Sequence, residues 1–469
     1  MFVIFGITGD LAKKMTFRSL YRLERRGLLD YPMIGIAADD MTVEQLMDRA
    51  RTAIVDCGET IDEAVFARFA ARWSYLSGDV TEPDVYRRLG EAMEKVQQPG
   101  GGAVRDALFY LEMPPSLFGT IVERLGEADL LDGGRVAVEK PFGHDLASAR
   151  ALNERLHKVV DEDQLLRVDH FLGKEPVIEL EYMRFANLAL AQLWDRESVT
   201  CIQITLGETF GVEDRGRFYD PVGALRDVVQ NHLMQVLALV TMEPPIGSSA
   251  NDLRDKKFEV FRSVTTVDPS RVVRGQHTGY RSIDGVADDS ATETFVALPL
   301  EIGNWRWAGV PVFIRAGKRL ATTATEVRLF LRDTPRLPFL PGIAEAASNQ
   351  IVLRIDPDAA MRIELEAYDD DTWKTVPLET AFARELGEPL EPYERLLHAA
   401  LTGDHRLFAR QDAVEETWRI LQPLIDNPPQ VIEYEPGSWG PSEADELVSG
   451  YHDWREPWLG QPGAATQQA

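Results

Sequence analysis

The stretch that most constrains this chain is its first, FVIFGITGDLAKK, residues 2–14. Four apolar residues form a strand pattern that breaks on Gly6 and Gly9, and Ala12 follows at the same spacing before a helical pattern begins. A strand that turns on glycine into a helix is half of a βαβ unit. Its backbone N–H groups and the helix N-terminus behind them can receive a pyrophosphate. Gly6, Thr8, Gly9, Asp10 and Leu11 are therefore candidate cofactor contacts, with Lys13 and Lys14 adding positive field. A plain strand-to-helix turn would show the same two glycines, so the series that follows has to decide.

That series continues. YPMIGIA, WSYLSGDV, ALFYLEMPP and RVAVEKPFG are short continuous apolar runs, as in strands buried on both faces. Amphipathic patterns such as TVEQLMDRARTAI and PSLFGTIVERLGEADLL lie between them. Strand and helix in alternation predict a doubly wound, Rossmann-like parallel α/β sheet over residues 1–168, a dinucleotide-binding domain. From about residue 176 the texture changes to β-branched, often alternating segments: SVTCIQITLGETFGVED, TETFVALPLEIGNWRWAGVPVFIRAGK, TEVRLFLRD, NQIVLRIDP and MRIELEAYDD. With the helical patterns of PVGALRDVVQNHLMQVLALVTM and EPYERLLHAALTGDHRLF among them, they predict a larger α+β domain over 169–469. Its sheet is expected to be mainly antiparallel.

Charge and cysteine use narrow the function classes. A net charge of −26 over 469 residues disfavours nucleic acid and anionic membrane as partners. It also means that a phosphorylated ligand needs a local cluster of Lys, Arg or His. Cys57 and Cys201 are the chain's two cysteines, without metal or disulfide spacing, which fits a reducing compartment and predicts no metal site. No run is long and apolar enough to span a bilayer, and Met1 leads straight into a strand, so a cytoplasmic address is expected.

The end of the second strand speaks to the dinucleotide. An acidic side chain there accepts hydrogen bonds from the adenosine ribose, and an arginine pairs with the extra phosphate of NADP. Here stand Ala38, Asp39 and Asp40, which predicts NAD in preference to NADP with Asp39 as the ribose contact. These residues also suit a helix start at Thr42. Lys140 sits where a strand ends, before Pro141, and the C-terminal ends of parallel strands are where such sheets bind ligands. Lys174 and His170, four apart, would share a face of a helix and converge on an anion. Lys318 follows an apolar run and reads equally as a strand-end surface lysine. Taken alone, His232 is a core or capping histidine, and Glu208 and Asp227 are solvated carboxylates.

Five stretches in order, GITGDLAKK, VEKPFG, RVDHFLGK, RDVVQNH and RAGKRL, resemble glucose-6-phosphate dehydrogenase. FYLEMPP, FGVEDRGRFYD, VRGQH, EPYERLLHAALTGD and GSWGP carry the likeness nearly end to end. The resemblance implies oxidation of glucose 6-phosphate to 6-phosphogluconolactone with NAD or NADP, in a homodimer or homotetramer. It implies His232 as general base and Asp169 as the carboxylate that orients it. His170 and Lys174 would hold the sugar phosphate, and Lys140 would lie between cofactor and substrate, with Pro141 in cis. Glu208, Asp227 and Lys318 would contact the sugar. Three positions depart from the family pattern: Phe171 stands where tyrosine is usual, Ala38 and Asp39 where an arginine is usual, and Ala316 where serine or cysteine is common. A dehydrogenase of another sugar or sugar phosphate is the alternative enzyme. A non-catalytic nucleotide- or phosphosugar-binding relative is the alternative of a different class.

Overall fold

The computed structural model describes residues 1–95, 106–335, 337–340, 342–343, 347–369, 372–381 and 390–460. In it the chain forms two compact units. The first gathers Met1–Lys174, Gly247–Arg254 and Leu390–Glu415, and the second gathers Glu175–Ile246, Asp255–Pro389 and Glu416–Ala469.

The first unit is built on a seven-stranded sheet. Its strands in chain order are β1 (Phe2–Phe5), β2 (Met33–Ala37), β3 (Trp73–Ser77), β4 (Leu108–Leu111), β5 (Arg135–Glu139) and β6 (Leu165–Val168). Their spatial order is β6-β5-β4-β1-β2-β3, all parallel, and the two-residue strand Phe408–Ala409 adds antiparallel to β6 at the edge. The five strands read from the sequence are all present. LLRV was not recognised, because four residues after a polar turn give no periodicity to count. All four residues of β1 are fully buried, as a central strand covered on both faces requires. The strand order reverses between β1 and β4, the switch point at which open α/β sheets bind ligands.

The division of the chain differs from two consecutive domains cut at 168/169. EPYERLLHAALTGDHRLF packs with the first unit. The helix Pro392–Thr402 buries Leu396, Leu397 and Leu401 in the same core as Leu20 and Leu23, each leucine worth about 2 kcal/mol. Its one fully buried carboxylate, Glu394, is paired twice, with Arg22 at 2.6 Å and Arg26 at 3.1 Å. A sequence pattern gives the apolar face of a helix but not the partner that covers it.

The second unit carries a nine-stranded sheet. Its strands are β7 (Val199–Gly207), β8 (Val273–His277), β9 (Phe295–Glu301), β10 (Pro311–Gly317), β11 (Ala324–Leu331), β12 (Gln350–Asp356), β13 (Ala360–Asp369) and β14 (Thr372–Ala381), with Val431–Tyr434 at one edge. The order is β14-β13-β12-β11-β7-β10-β9-β8 and then Val431–Tyr434. Six of the eight pairings are antiparallel; β7 with β10, and β8 with Val431–Tyr434, are parallel. The parallel β7–β10 pair matters for function, because it brings the C-terminal ends of two central strands side by side.

Candidate functional site

The glycine loop of the first unit is shaped by its own scaffold. Gly6 has φ +84°, and a Cβ there would lie 2.2 Å from the carbonyl oxygen of Glu112. Only glycine fits so close an approach in that conformation. Gly6 and Ile7 both donate to the carbonyl of Ile36 at the end of β2, and Gly9 N donates to Gly6 O at 2.8 Å. Ala12, fully buried, opens a π-helical turn, Ala12–Thr16, that runs into the helix Phe17–Arg25. The cradle for a dinucleotide is therefore present: a tight loop, close backbone and a helical segment behind it. Lys13 is exposed and reaches Asp56 at 3.9 Å.

Beside the loop, β2 ends at Ala37 and the next helix, Val43–Asp56, is capped by Thr42 in a capping box with Gln45. The residues between are thus set by a cap, as the sequence allowed, and Asp39 remains exposed. The carbonyl of Asp39 accepts from Tyr75 Oη at 2.6 Å. Burial, then Asp39 and Asp40, push the Tyr75 phenol up to about 12, so it stays a donor. One residue escaped the sequence reading: Arg49, on the helix behind the cap, donates through Nη2 to the carbonyl of Thr8. It lies two turns past the positions where a phosphate-pairing arginine was sought.

In the same unit, β5 delivers Lys140, which is joined to Pro141 by a cis peptide bond. β6 delivers Asp169, 2% exposed, whose Oδ1 accepts from Phe171 N at 3.0 Å and so caps the turn that follows. That turn corrects one expectation. Residues His170–Gly173 form a 3-10 helix, with Lys174 as its extended C-cap, so His170 and Lys174 do not share the face of an α-helix. Gly173, at the end of the turn, lies against the Pro392 carbonyl, where a Cβ would come within 2.5 Å. Phe171 is buried, and the Lys174 ammonium stands 4.1 Å from its ring centroid. The aromatic that replaces the usual tyrosine is the platform on which that lysine rests.

The second unit assembles three of the other candidates. Glu208 and Lys318 follow the paired parallel strands β7 and β10, in which Gly207 faces Gly317. Lys318 Nζ bonds Glu208 Oε2 at 2.7 Å and lies 3.5 Å from Asp227 Oδ2. Lys318 is 8% exposed, with the rings of Phe210 and Tyr219 beside its ammonium and its carbonyl accepting from Tyr434 Oη at 2.6 Å. It is a buried, doubly countered cation and not a surface strand-end lysine.

Asp227 and His232 lie on one helical segment whose form the sequence did not disclose. Leu225–Leu233 is wound as a π-helix before it continues as the α-helix Met234–Thr241. With i→i+5 hydrogen bonding, residues five apart stack on one face, and that spacing separates Asp227 from His232. His232 is 2% exposed. The segment is pinned at both ends. Leu225 N donates to Glu293 Oε1 at 3.1 Å, and Arg184 caps the far end by donating to the carbonyls of Leu239 and Met242 at 2.6 and 2.7 Å. Gln230 adds a bond to Thr417 at 2.9 Å.

Two carboxylates that the sequence reading passed over belong to the first unit: Glu112 after β4 and Glu139 at the end of β5. Burial pushes them up to about 8 and about 7. The signal available for both was a glutamate at the C-terminal end of an apolar parallel strand. Both cysteines are free, Cys201 buried and Cys57 half-buried. Among the described residues no helix is long and apolar enough to cross a membrane.

Comparison with known proteins covers nearly all of the chain. The family description "Glucose-6-phosphate dehydrogenase, NAD binding domain" matches residues 3–179, and "Glucose-6-phosphate dehydrogenase, C-terminal domain" matches residues 181–455. Glucose-6-phosphate 1-dehydrogenase 1 of Mycobacterium tuberculosis is 62% identical over 459 residues, covering 98% of this chain and 97% of the relative. The Bacillus subtilis glucose-6-phosphate 1-dehydrogenase is 36% identical, covering 96% and 97%. A crystal structure of the Mycobacterium avium enzyme superposes with a TM-score of 0.92 at 62% identity, over 98% of this chain and 99% of that one. A glucose-6-phosphate dehydrogenase solved in complex with its substrate glucose 6-phosphate superposes at 0.91 with 34% identity, over 97% and 98%. A glycine-loop parallel sheet and a mainly antiparallel α+β unit, matched throughout by both family halves, place the chain: it belongs to the glucose-6-phosphate dehydrogenase family.

Proposed function

We propose that this chain oxidises glucose 6-phosphate to 6-phosphogluconolactone, the first step of the pentose phosphate pathway, and that it uses NAD in preference to NADP. The observation that carries the reading is the likeness to glucose-6-phosphate dehydrogenases over 98% of the chain. Oxidation at the anomeric carbon breaks an O–H and a C–H bond and forms the lactone C=O. The proton passes to the imidazole of His232, and the hydride leaves with the C–H electron pair. Bound at the glycine loop, a nicotinamide dinucleotide supplies the hydride acceptor. A buried imidazole becomes imidazolium only with a counter-charge, the role assigned to Asp169.

His170 and Lys174 receive the phosphate dianion. The fixed seat of Lys174 on Phe171 supports this, because a pre-placed ammonium loses little freedom on binding. Glu208, Asp227 and Lys318 read the sugar hydroxyls. Their mutual ion pairing supports the role, since it presents acceptors and a donor in fixed positions. Lys140 lies between the sugar and the nicotinamide. Gly6, Thr8, Gly9, Asp10 and Leu11 form the cradle, and Asp39 takes the ribose.

The absence of a basic residue at 38–40 supports NAD. One observation favours the NADP reading: Arg49, bonded to the Thr8 carbonyl, puts a guanidinium beside the loop. Initial rates with glucose 6-phosphate, followed by the absorbance of the reduced nicotinamide at matched NAD and NADP, decide both points. No turnover with glucose 6-phosphate but turnover with another aldose phosphate would overturn the substrate assignment. A higher kcat/KM with NADP would assign specificity to Arg49. A homodimer or homotetramer in the cytoplasm completes the reading. The exposed Leu365 and Val376, cross-strand partners on β13 and β14, with Leu378 beside them, form an apolar stripe suited to a second copy.

A further inference from the structure

A polar cluster under the glycine loop is unused by the chemistry above. Glu112 follows β4 and Glu139 ends β5, and these two strands are neighbours in the sheet. Tyr110 Oη donates to Glu139 Oε1 at 2.5 Å, and Tyr393 Oη donates to the same oxygen at 3.3 Å. Thr16 Oγ1, on the winding just after the glycine loop, donates to Glu112 Oε1. Glu112 Oε2 is buried and meets no hydrogen-bonding partner among the described residues. The main chain of Glu112 is locked to the loop as well. Its N–H donates to the Phe5 carbonyl at 3.0 Å, and its own carbonyl is the wall against which Gly6 fits. One residue therefore holds the loop from below through its backbone and its side chain.

We propose that Glu112 is a positioning residue for the dinucleotide: its neutral carboxyl seats the glycine loop, and its ionised form weakens dinucleotide binding. The proposal rests on the dinucleotide reading of that loop. The groups that face Glu112 are Thr16 from the π-helical turn, Glu139 from β5, Tyr110 from β4 and Tyr393 from the helix Pro392–Thr402. Lys140 and Asp169 act on Glu139. The charged group that acts on Glu112 is thus another carboxylate, and burial with that neighbour lifts it to about 8. A dinucleotide brings two more negative charges to the loop, so binding favours the protonated carboxyl further. By linkage the complex takes up proton near that pH, and affinity falls as pH rises through it. At an effective dielectric of about 40, between protein and bulk water, and a separation of roughly a nanometre from the two charges, the ionised carboxylate weakens binding about tenfold.

The test is NADH binding by the full chain, with NADPH in parallel, followed by fluorescence from about pH 6.5 to about pH 9.5. For the wild type, Kd rises about tenfold across the range. For Glu112→Gln, which keeps an acceptor for Thr16, it stays within about twofold. Glu139→Gln keeps the rise but moves its midpoint to lower pH, because a like charge is gone. Calorimetry of the wild type near pH 8 in buffers of different ionisation enthalpy shows proton uptake on binding, and needs no variant to fold. Tight binding with no net proton uptake, or an equal rise in Glu112→Gln, overturns the proposal and leaves the dinucleotide reading intact. Failure of both dinucleotides to bind at every pH overturns that reading, and this proposal with it.

Discussion

Lys318 offers a quantitative test of the sugar-contacting cluster. Replacement by methionine keeps the volume and removes the charge, leaving Glu208 and Asp227 without their shared cation. Removing one partner of a buried ion pair costs roughly 3–5 kcal/mol. Here the lysine side chain is 10% exposed, but the carboxylates are 21% and 28% exposed, so water recovers part of the loss. A destabilisation of about 2 kcal/mol follows, or about 4 °C in the melting temperature of a unit this size. Differential scanning calorimetry with and without added salt measures it. Because the ammonium is enclosed by Phe210 and Tyr219, salt changes the loss little. Neutralising both carboxylates in the same background, as Glu208→Gln with Asp227→Asn, recovers most of the lost stability, since the damage is unbalanced charge and not lost packing. An unchanged melting temperature in Lys318→Met, or three substitutions that simply add, would refute the description of this cluster.

Two further predictions concern the first unit. Phe171→Leu removes the ring under Lys174, worth about 1 kcal/mol to a cation; KM for glucose 6-phosphate rises about fivefold with kcat little changed in steady-state assays, and an unaltered KM counts against the platform. Glu139 is raised to about 7 chiefly by burial. A carboxyl whose folded value lies above its unfolded value binds protons better when folded, so stability falls as pH rises from about 4.5 through about 7. Glu139→Gln therefore raises the melting temperature near pH 8, by about 2 kcal/mol in stability after allowing for relaxation, and changes it little near pH 5; a gain that is the same at both pH values contradicts the sign.

Much of the architecture was legible because continuous apolar runs and alternating runs are direct consequences of burial on two faces or one. β1 to β5 were found that way. β6 and the strand Phe408–Ala409 were not, since they are short and defined by the neighbours they pair with. The same applies to the helix Pro392–Thr402, whose leucines declare an apolar face but not which core receives it. At the candidate site, residue types were readable and environments were not. Lys318 as a countered buried cation depends on a parallel register that no local pattern encodes. The π winding that aligns Asp227 with His232 is likewise hidden, because LRDVVQNHL has ordinary helical composition. Arg49 and Glu112 escaped notice because each acts through a backbone contact made at a distance along the chain.

The central claim is that His232 accepts the proton as hydride leaves the sugar. The most direct measurement is single-turnover oxidation of glucose 6-phosphate by His232→Asn, paired with the variant's equilibrium affinity for the sugar phosphate. The account predicts a rate lowered by about a thousandfold or more, with affinity within about threefold of wild type. A variant that turns over at near the wild-type rate, or that loses affinity as much as rate, would contradict it.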